Sequence, residues 1–217
     1  MEDSEVFAVL SQCFVDGGEA EWDRFVAEQW AEFCEAVARI ESFGFGAEGA
    51  PPKVCEPALP APPSGAEKDS YARRRYTGGL PSSAMPVESL YASFAQTGSG
   101  AARYRALCAD YMADVASRMG LFIPERFAAY PDHLSLELDL IAVLLRADAL
   151  DSARTVAVER LAWLPDYRAD LERFDDAGFY RALLDRLGRI RRRLADEKES
   201  ERFHYDEKTL ITNIQEG

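Results

Sequence analysis

Apolar residues recur at steps of three and four along most of the chain, a spacing that predicts helices. The longest stripe consists of Trp22, Phe25, Val26, Trp30, Phe33, Val37 and Ile40. A shorter helix should precede it, with Ser4 as its N-cap and Gly17-Gly18 closing it. Its buried side is predicted to carry Val6, Leu10 and Phe14.

The middle of the chain is interrupted by segments without helical periodicity. Residues 44–65 are rich in glycine, alanine and proline, which indicates a loop or insertion. A short helical piece at 71–76 should end at Gly78-Gly79, and a brief helix should follow Pro86 at residues 88–91. Gly98-Ser99-Gly100 then marks another break.

The second half predicts helices at 101–119, from Leu134 to Leu145, at 151–164 and at 176–197. Gly120 should terminate the first of these, Asp132 should cap the second, and Pro165 should stop the third. No stretch alternates with period two, so no sheet is predicted.

These elements predict one all-α domain. It comprises N-terminal helices at 1–43, the insertion at 44–65, a main helical core at 66–195 and a charged, partly ordered tail at 196–217.

With 217 residues and 47% hydrophobic side chains, the chain can bury a core without disulfides or metals. Its apolar runs are too short to span a bilayer, and residues 1–5 lack the features of a secretory signal peptide. We therefore expect a soluble, cytoplasmic protein without direct membrane insertion. The cysteines at 13, 34, 55 and 108 are too dispersed for a zinc site and are predicted to be reduced packing residues.

The formal net charge is −13, and it is concentrated near the N-terminus. Residues 1–60 contain thirteen acidic side chains against Arg24, Arg39 and Lys53. This charge disfavours nucleic-acid binding and would attract a basic ligand, such as a peptide with adjacent arginines. The alternative is that the acidity only maintains solubility.

Common catalytic signatures are missing from the sequence. It has no phosphate-binding glycine loop and no GxSxG elbow, and its only histidines are His133 and His204. The sequence therefore predicts no enzyme, no cofactor and no metal site, and leaves room only for a carboxylate-based or unfamiliar active site.

Two pairs of residues remain as candidates for binding. Asp132 can cap a helix while His133 stays near the surface, although both residues could simply satisfy backbone donors at the helix start. Glu88 and Tyr91 could line a groove that receives cationic or backbone groups, whereas packing is the commoner fate of such a tyrosine.

The order of several short motifs between about residues 70 and 195 resembles the TorD/DmsD/NarJ redox-enzyme maturation chaperones. The motifs are Pro86-x-Glu88-Ser89-x-Tyr91, the helix ending at Tyr111 to Gly120, Pro131-Asp132-His133-Leu134 with Glu137-Leu138, Arg160-Leu161-Ala162-Trp163-Leu164-Pro165 and Phe179-Tyr180. One departure is Tyr130, because many members carry a glutamate before the proline.

The resemblance implies a helical bundle in two lobes joined by a hinge. It also implies a non-enzymatic chaperone that binds the twin-arginine signal peptide of a molybdopterin oxidoreductase and delays export or assembly until cofactor insertion. The implied peptide-binding residues are Asp132, His133, Pro131, Leu134, Glu137, Glu88 and Tyr91. We expect an apolar cleft framed by carboxylates beside Pro131.

Two alternatives remain. A NarJ-like adaptor would bind the catalytic subunit of a non-exported oxidoreductase, and a more distant alternative is a helical phosphoesterase-type enzyme. A monomer and a domain-swapped homodimer are both compatible with the resemblance.

Overall fold

The computed structural model describes residues 1–47, 58–76, 83–91, 107–174 and 178–215, with side chains as far as residue 199. Within these ranges the regular structure is helical and no strand is present, which confirms the all-α prediction. The only strand-like pairing described is an isolated antiparallel bridge between Val87 and His133. The division into two lobes stays a prediction.

The first two helices are α1 (Asp3–Cys13) and α2 (Glu19–Phe43). The predicted stripe on α2 is confirmed, since Trp22, Phe33, Val37 and Ile40 are buried. Ser4 is not the N-cap of α1: Glu2 holds that position, where its backbone N–H donates to Glu5 Oε2 at 2.9 Å. Gly17 and Gly18 have positive φ and form the turn into α2, whereas α1 ends earlier, at Cys13.

Helix α3 (Gly65–Arg75) begins earlier than the sequence suggested. Ser64 and Glu67 form a capping box, so the helix starts inside the predicted insertion. Gly65 is required there because a Cβ atom would lie 2.5 Å from the backbone oxygen of Glu19 on α2. The rest of the insertion at 48–57, Gly78-Gly79 and Gly98-Ser99-Gly100 lie outside the described residues.

A 3₁₀ turn at Glu88–Leu90 takes the place of the predicted brief helix, and α4 (Leu107–Arg118) follows. Gly120 ends α4 with φ of 66°, as predicted. The remaining helices are α5 (Leu134–Arg146), α6 (Leu150–Arg160), α7 (Leu164–Leu171) and α8 (Gly178–Gln215).

Two predicted boundaries in this half are wrong. Helix α6 ends at Arg160, and Pro165 lies instead in the first turn of α7, where a missing N–H costs nothing. Helix α8 continues beyond residue 197 as far as Gln215. Pairs such as Arg193 and Glu197 at 3.1 Å support a helix in this charged sequence.

The core lies where α1 packs on α5 and α2 packs on α8. Its central members are fully buried: Phe7, Phe14, Leu138, Ile141, Leu183 and Leu187. Glu41 on α2 pairs with Arg186 and Arg189 on α8. Cys13, Cys34 and Cys108 are free thiols, whereas Cys55 falls outside the described residues. Among the described helices, none combines the length and apolar character needed to cross a membrane.

Candidate functional site

Segment 83–91 lies against the start of α5 and brings the two main sequence motifs together. The Leu134 N–H donates to the carbonyl of Pro86 at 2.8 Å, and the Glu88 N–H donates to the carbonyl of Asp132 at 3.0 Å. These backbone bonds join residues more than forty positions apart, so the two motifs form one structural unit.

His133, and not Asp132, caps α5, and the prediction that His133 stays near the surface is wrong because both side chains are buried. Asp132 Oδ2 accepts from the Ser89 N–H at 2.7 Å, and His133 Nδ1 caps α5 by accepting from the Ser135 N–H at 3.2 Å. Asp132 as the N-cap was therefore wrong, because a partner distant in sequence takes its carboxylate. Burial lowers the pKa of His133 to about 3, and the charge of Arg126 adds to this effect.

Glu88, Asp132 and Glu137 form a buried carboxyl cluster, with exposures of 4%, 0% and 0%. Burial raises the pKa of Glu137 well above its ordinary value, and the charge of Glu88 raises it further. Burial also raises the pKa of Glu88, although Arg160, 3.3 Å away, opposes the shift. Glu137 is therefore the neutral partner of its hydrogen bond with Glu88.

The cluster is enclosed by the protein itself. The Trp163 indole N–H donates to Glu137 Oε2 at 3.2 Å, and Leu134 is also fully buried. Tyr91 is partly buried, stacks on Trp163 at 5.6 Å and donates from its hydroxyl to Asp170 at 3.0 Å. The expectation that these carboxylates frame an open cleft is wrong, and the peptide-binding role of the seven residues stays a prediction.

An open cavity nevertheless lies beside Pro131. This Pro131 groove has a volume of about 360 Å³ and runs between α1, α4, α5 and the link at 121–127. Its lining on α5 extends from Ser135 to Arg146, a distance of about 16 Å along the helix. The apolar lining includes Val15, Met112, Val115, Leu121, Leu136 and Leu140.

The lip of the Pro131 groove is an exposed aromatic residue. Phe122 is 85% exposed, and Met119 nearby is 40% exposed. An apolar groove bordered by exposed apolar side chains is a candidate interaction surface. Periodicity could not identify Phe122, because it lies in a link between Gly120 and Pro124; an isolated aromatic in such a link was the available signal.

The Pro131 groove contains charges that the sequence analysis missed. Asp139 lies midway along it, with its pKa raised by burial against the lowering effects of Ser11, Arg126 and Arg146. The described lining thus carries two arginines against one aspartate. Ser135, Asp139 and Arg146 share one side of the otherwise apolar α5, and that polar line could have revealed them.

A smaller cavity of about 150 Å³ adjoins the Pro131 groove and shares Val15, Arg126 and Phe127 with it. His133 and Tyr130 line it. Pro131 and His133 therefore face two neighbouring cavities. Among the described residues, no group of three histidine, cysteine, aspartate or glutamate side chains could hold a metal ion.

Residues 69–174 match the family model of the nitrate reductase delta subunit. This range includes segment 83–91, α4 to α7 and the Pro131 motif. Neither a curated protein nor a solved structure matches the chain. Members of the matched family are maturation proteins of molybdoenzymes. This match, over just under half of the chain, supports the resemblance to the NarJ-type redox-enzyme maturation chaperones that the order of the motifs predicted.

Proposed function

We propose that this chaperone binds the N-terminal leader peptide of a molybdopterin oxidoreductase in the Pro131 groove. The leader is of the twin-arginine type. By binding it in the cytoplasm, the chaperone delays export or assembly of the oxidoreductase until the oxidoreductase has received its cofactor. The single observation that supports this proposal is an apolar groove with an exposed aromatic lip in a chain that resembles this family.

The dimensions of the groove suit the apolar part of a leader. Such a segment has about 7–15 apolar residues. Eleven residues in a helix cover about 16 Å, which is the length of the groove along α5. An amphipathic or apolar helix in a groove is a recurrent mode of peptide recognition.

The seven predicted site residues take different parts in this proposal. Pro131 lines the groove, and we assign it a direct contact with the peptide. Asp132, Leu134 and Glu137 are fully buried, so they act by fixing the wall behind it. Glu88 and Tyr91 belong to the same support, and His133 holds the first turn of α5.

A second candidate is an adaptor for the catalytic subunit of a non-exported oxidoreductase. Arg126 and Arg146 favour it, because these side chains would repel a cation placed inside the groove. In that case the groove would take an apolar surface of the subunit itself, away from any leader.

Fluorescence anisotropy with a labelled leader peptide, and with a catalytic subunit lacking its leader, distinguishes the two candidates. Our proposal predicts saturable binding of the isolated leader, weakened by Phe122→Ser. Phe43→Ser is the matched control, because Phe43 is also an exposed aromatic residue but lies at the end of α2, outside the groove lining. Binding of the leaderless subunit alone would refute the leader proposal and favour the adaptor.

A further inference from the structure

A third cavity, of about 300 Å³, lies between α1 and the start of α2. This Trp22 pocket is lined by Val9, Gly18, Glu21, Trp22, Phe25 and Lys68, among others. It shares Ala8 and Gln12 of α1 with the Pro131 groove. The two cavities therefore adjoin each other at these two residues of α1.

The exposed charge around the Trp22 pocket is negative. On α2, Glu21, Phe25 and Glu28 follow one another at helical spacing on one face, and both glutamates are exposed. On α1, Glu5 shares a face with Ala8 and Gln12 and is also exposed. A cationic segment lying over this pocket would meet carboxylates from both helices.

Lys68 does not offset this charge at the surface. Its side chain is 2% exposed, and its ammonium group donates to the carbonyls of Val15 at 2.8 Å and Gly17 at 3.1 Å. Asp69 lies 3.5 Å from the same ammonium group. The lysine is thus satisfied within the protein and holds the turn between α1 and α2.

The far end of the Pro131 groove has the opposite charge. Arg146 is exposed there, in the last turn of α5. Arg126, which also lines the groove, is paired with Asp16 at 3.4 Å. The exposed Glu21 and Glu28 therefore favour a cation at the Trp22 pocket, whereas Arg146 disfavours one at its own end of the groove. A bound segment with one basic end would be favoured in one direction only.

We infer that the Trp22 pocket binds the basic end of the leader whose apolar stretch occupies the Pro131 groove. This inference rests on the proposed function and adds a direction to it. Basic residues precede the apolar stretch in leader peptides generally. The leader then lies with its basic N-terminal residues over α1 and α2, and its apolar stretch runs towards Arg146.

Three labelled peptides with the same apolar stretch test the direction. One carries Arg-Arg before the stretch, one carries Arg-Arg after it, and one carries Gln-Gln before it. The first peptide should bind roughly two- to thirty-fold more tightly than the other two at low salt, the range expected for two exposed ion pairs. Added salt should reduce the difference.

The double variant Glu21→Gln/Glu28→Gln should abolish this advantage while leaving binding of the Gln-Gln peptide unchanged. Glu159→Gln/Glu172→Gln is the matched control: it removes the same charge from two half-exposed side chains on other elements. A photocrosslinker at the basic end of the first peptide should label α1 or α2.

The outcomes separate the two proposals. Equal affinity for the three peptides, an unaltered advantage in the Glu21/Glu28 variant, or crosslinking of the basic end beside Arg146 would overturn the inference alone. If none of the peptides binds, the proposed function fails together with it.

Discussion

Replacement of Asp132 by alanine tests how the sequence-predicted hinge aspartate contributes to binding. Its carboxylate is fully buried and accepts from the Ser89 N–H at 2.7 Å. The variant leaves that backbone donor without a partner in a closed environment. We therefore expect a loss of folding stability and little direct effect on peptide contacts.

The magnitude follows from two opposing effects. A buried N–H that loses its acceptor costs about 1–3 kcal/mol. The Asp132 carboxylate also repels Glu88 and raises the pKa of Glu88. Removal of Asp132 relieves this repulsion and so offsets part of the lost stability. We expect a net destabilisation of about 2 kcal/mol, which lowers Tm by about 4–8 °C for a chain of this size. Asp132→Asn keeps an acceptor and should lose less than about 1 kcal/mol.

Urea unfolding followed by circular dichroism measures the stability of both variants. Leader affinity is measured by anisotropy at a temperature where all proteins are folded, and both variants should stay within about threefold of the parent. If Asp132→Asn keeps its stability but loses tenfold or more in affinity, the carboxylate acts on the peptide directly and the indirect role is refuted.

Three further predictions concern the groove and its supporting wall. Phe122→Ser should weaken leader binding by about 2 kcal/mol, or roughly thirty-fold, because the peptide buries this ring; unchanged affinity would exclude Phe122 from the binding surface. Because the pKa of Glu137 is raised in the folded protein, its contribution to stability is fully present below about pH 4.5 and is lost as the pH rises. The free energy of unfolding of Glu137→Gln, measured in urea, should therefore increase relative to that of the parent protein between pH 5 and 8. A constant difference would mean that Glu137 has the same pKa in the folded and the unfolded protein. The pKa of His133 is lowered from 6.5 to about 3, so its contribution is present above pH 6.5 and lost on acidification; His133→Asn keeps the cap and should remove up to about 1.4 kcal/mol per pH unit of acid sensitivity. Parallel pH profiles of the two proteins would contradict this.

Periodicity predicted the helices well where one face is continuously apolar, as on α2 and α5. It failed where local chemistry decides the boundary. The capping box of Ser64 and Glu67 was not recognised, because the prolines before it indicated a loop. Pro165 was predicted to end a helix, but it lies in the first turn of α7. Helix α8 extends to Gln215, beyond the apolar stripe from Phe179 to Leu194 on which its predicted end at residue 197 was based.

The sequence predicted which motifs form the site but not how their side chains are arranged in three dimensions. Their order along the chain correctly indicated that Glu88 and Asp132 belong together. The sequence could not predict whether the Glu137 carboxyl is exposed to solvent or bonded to the Trp163 indole, because this depends on how α5 packs against the turn before α7. The polar residues that line the groove, such as Asp139, were not predicted, because the helix that carries them is strongly apolar and was interpreted only as core.

The exposed ring of Phe122 has a consequence for the protein when no ligand covers it. Two copies could associate through their exposed Phe122 side chains, whereas the net charge of −13 on each copy causes repulsion at low ionic strength. Salt shortens the range of that repulsion and leaves the apolar attraction in place. The ligand-free protein should consequently self-associate as salt increases, and the leader that we propose as its ligand should suppress this self-association.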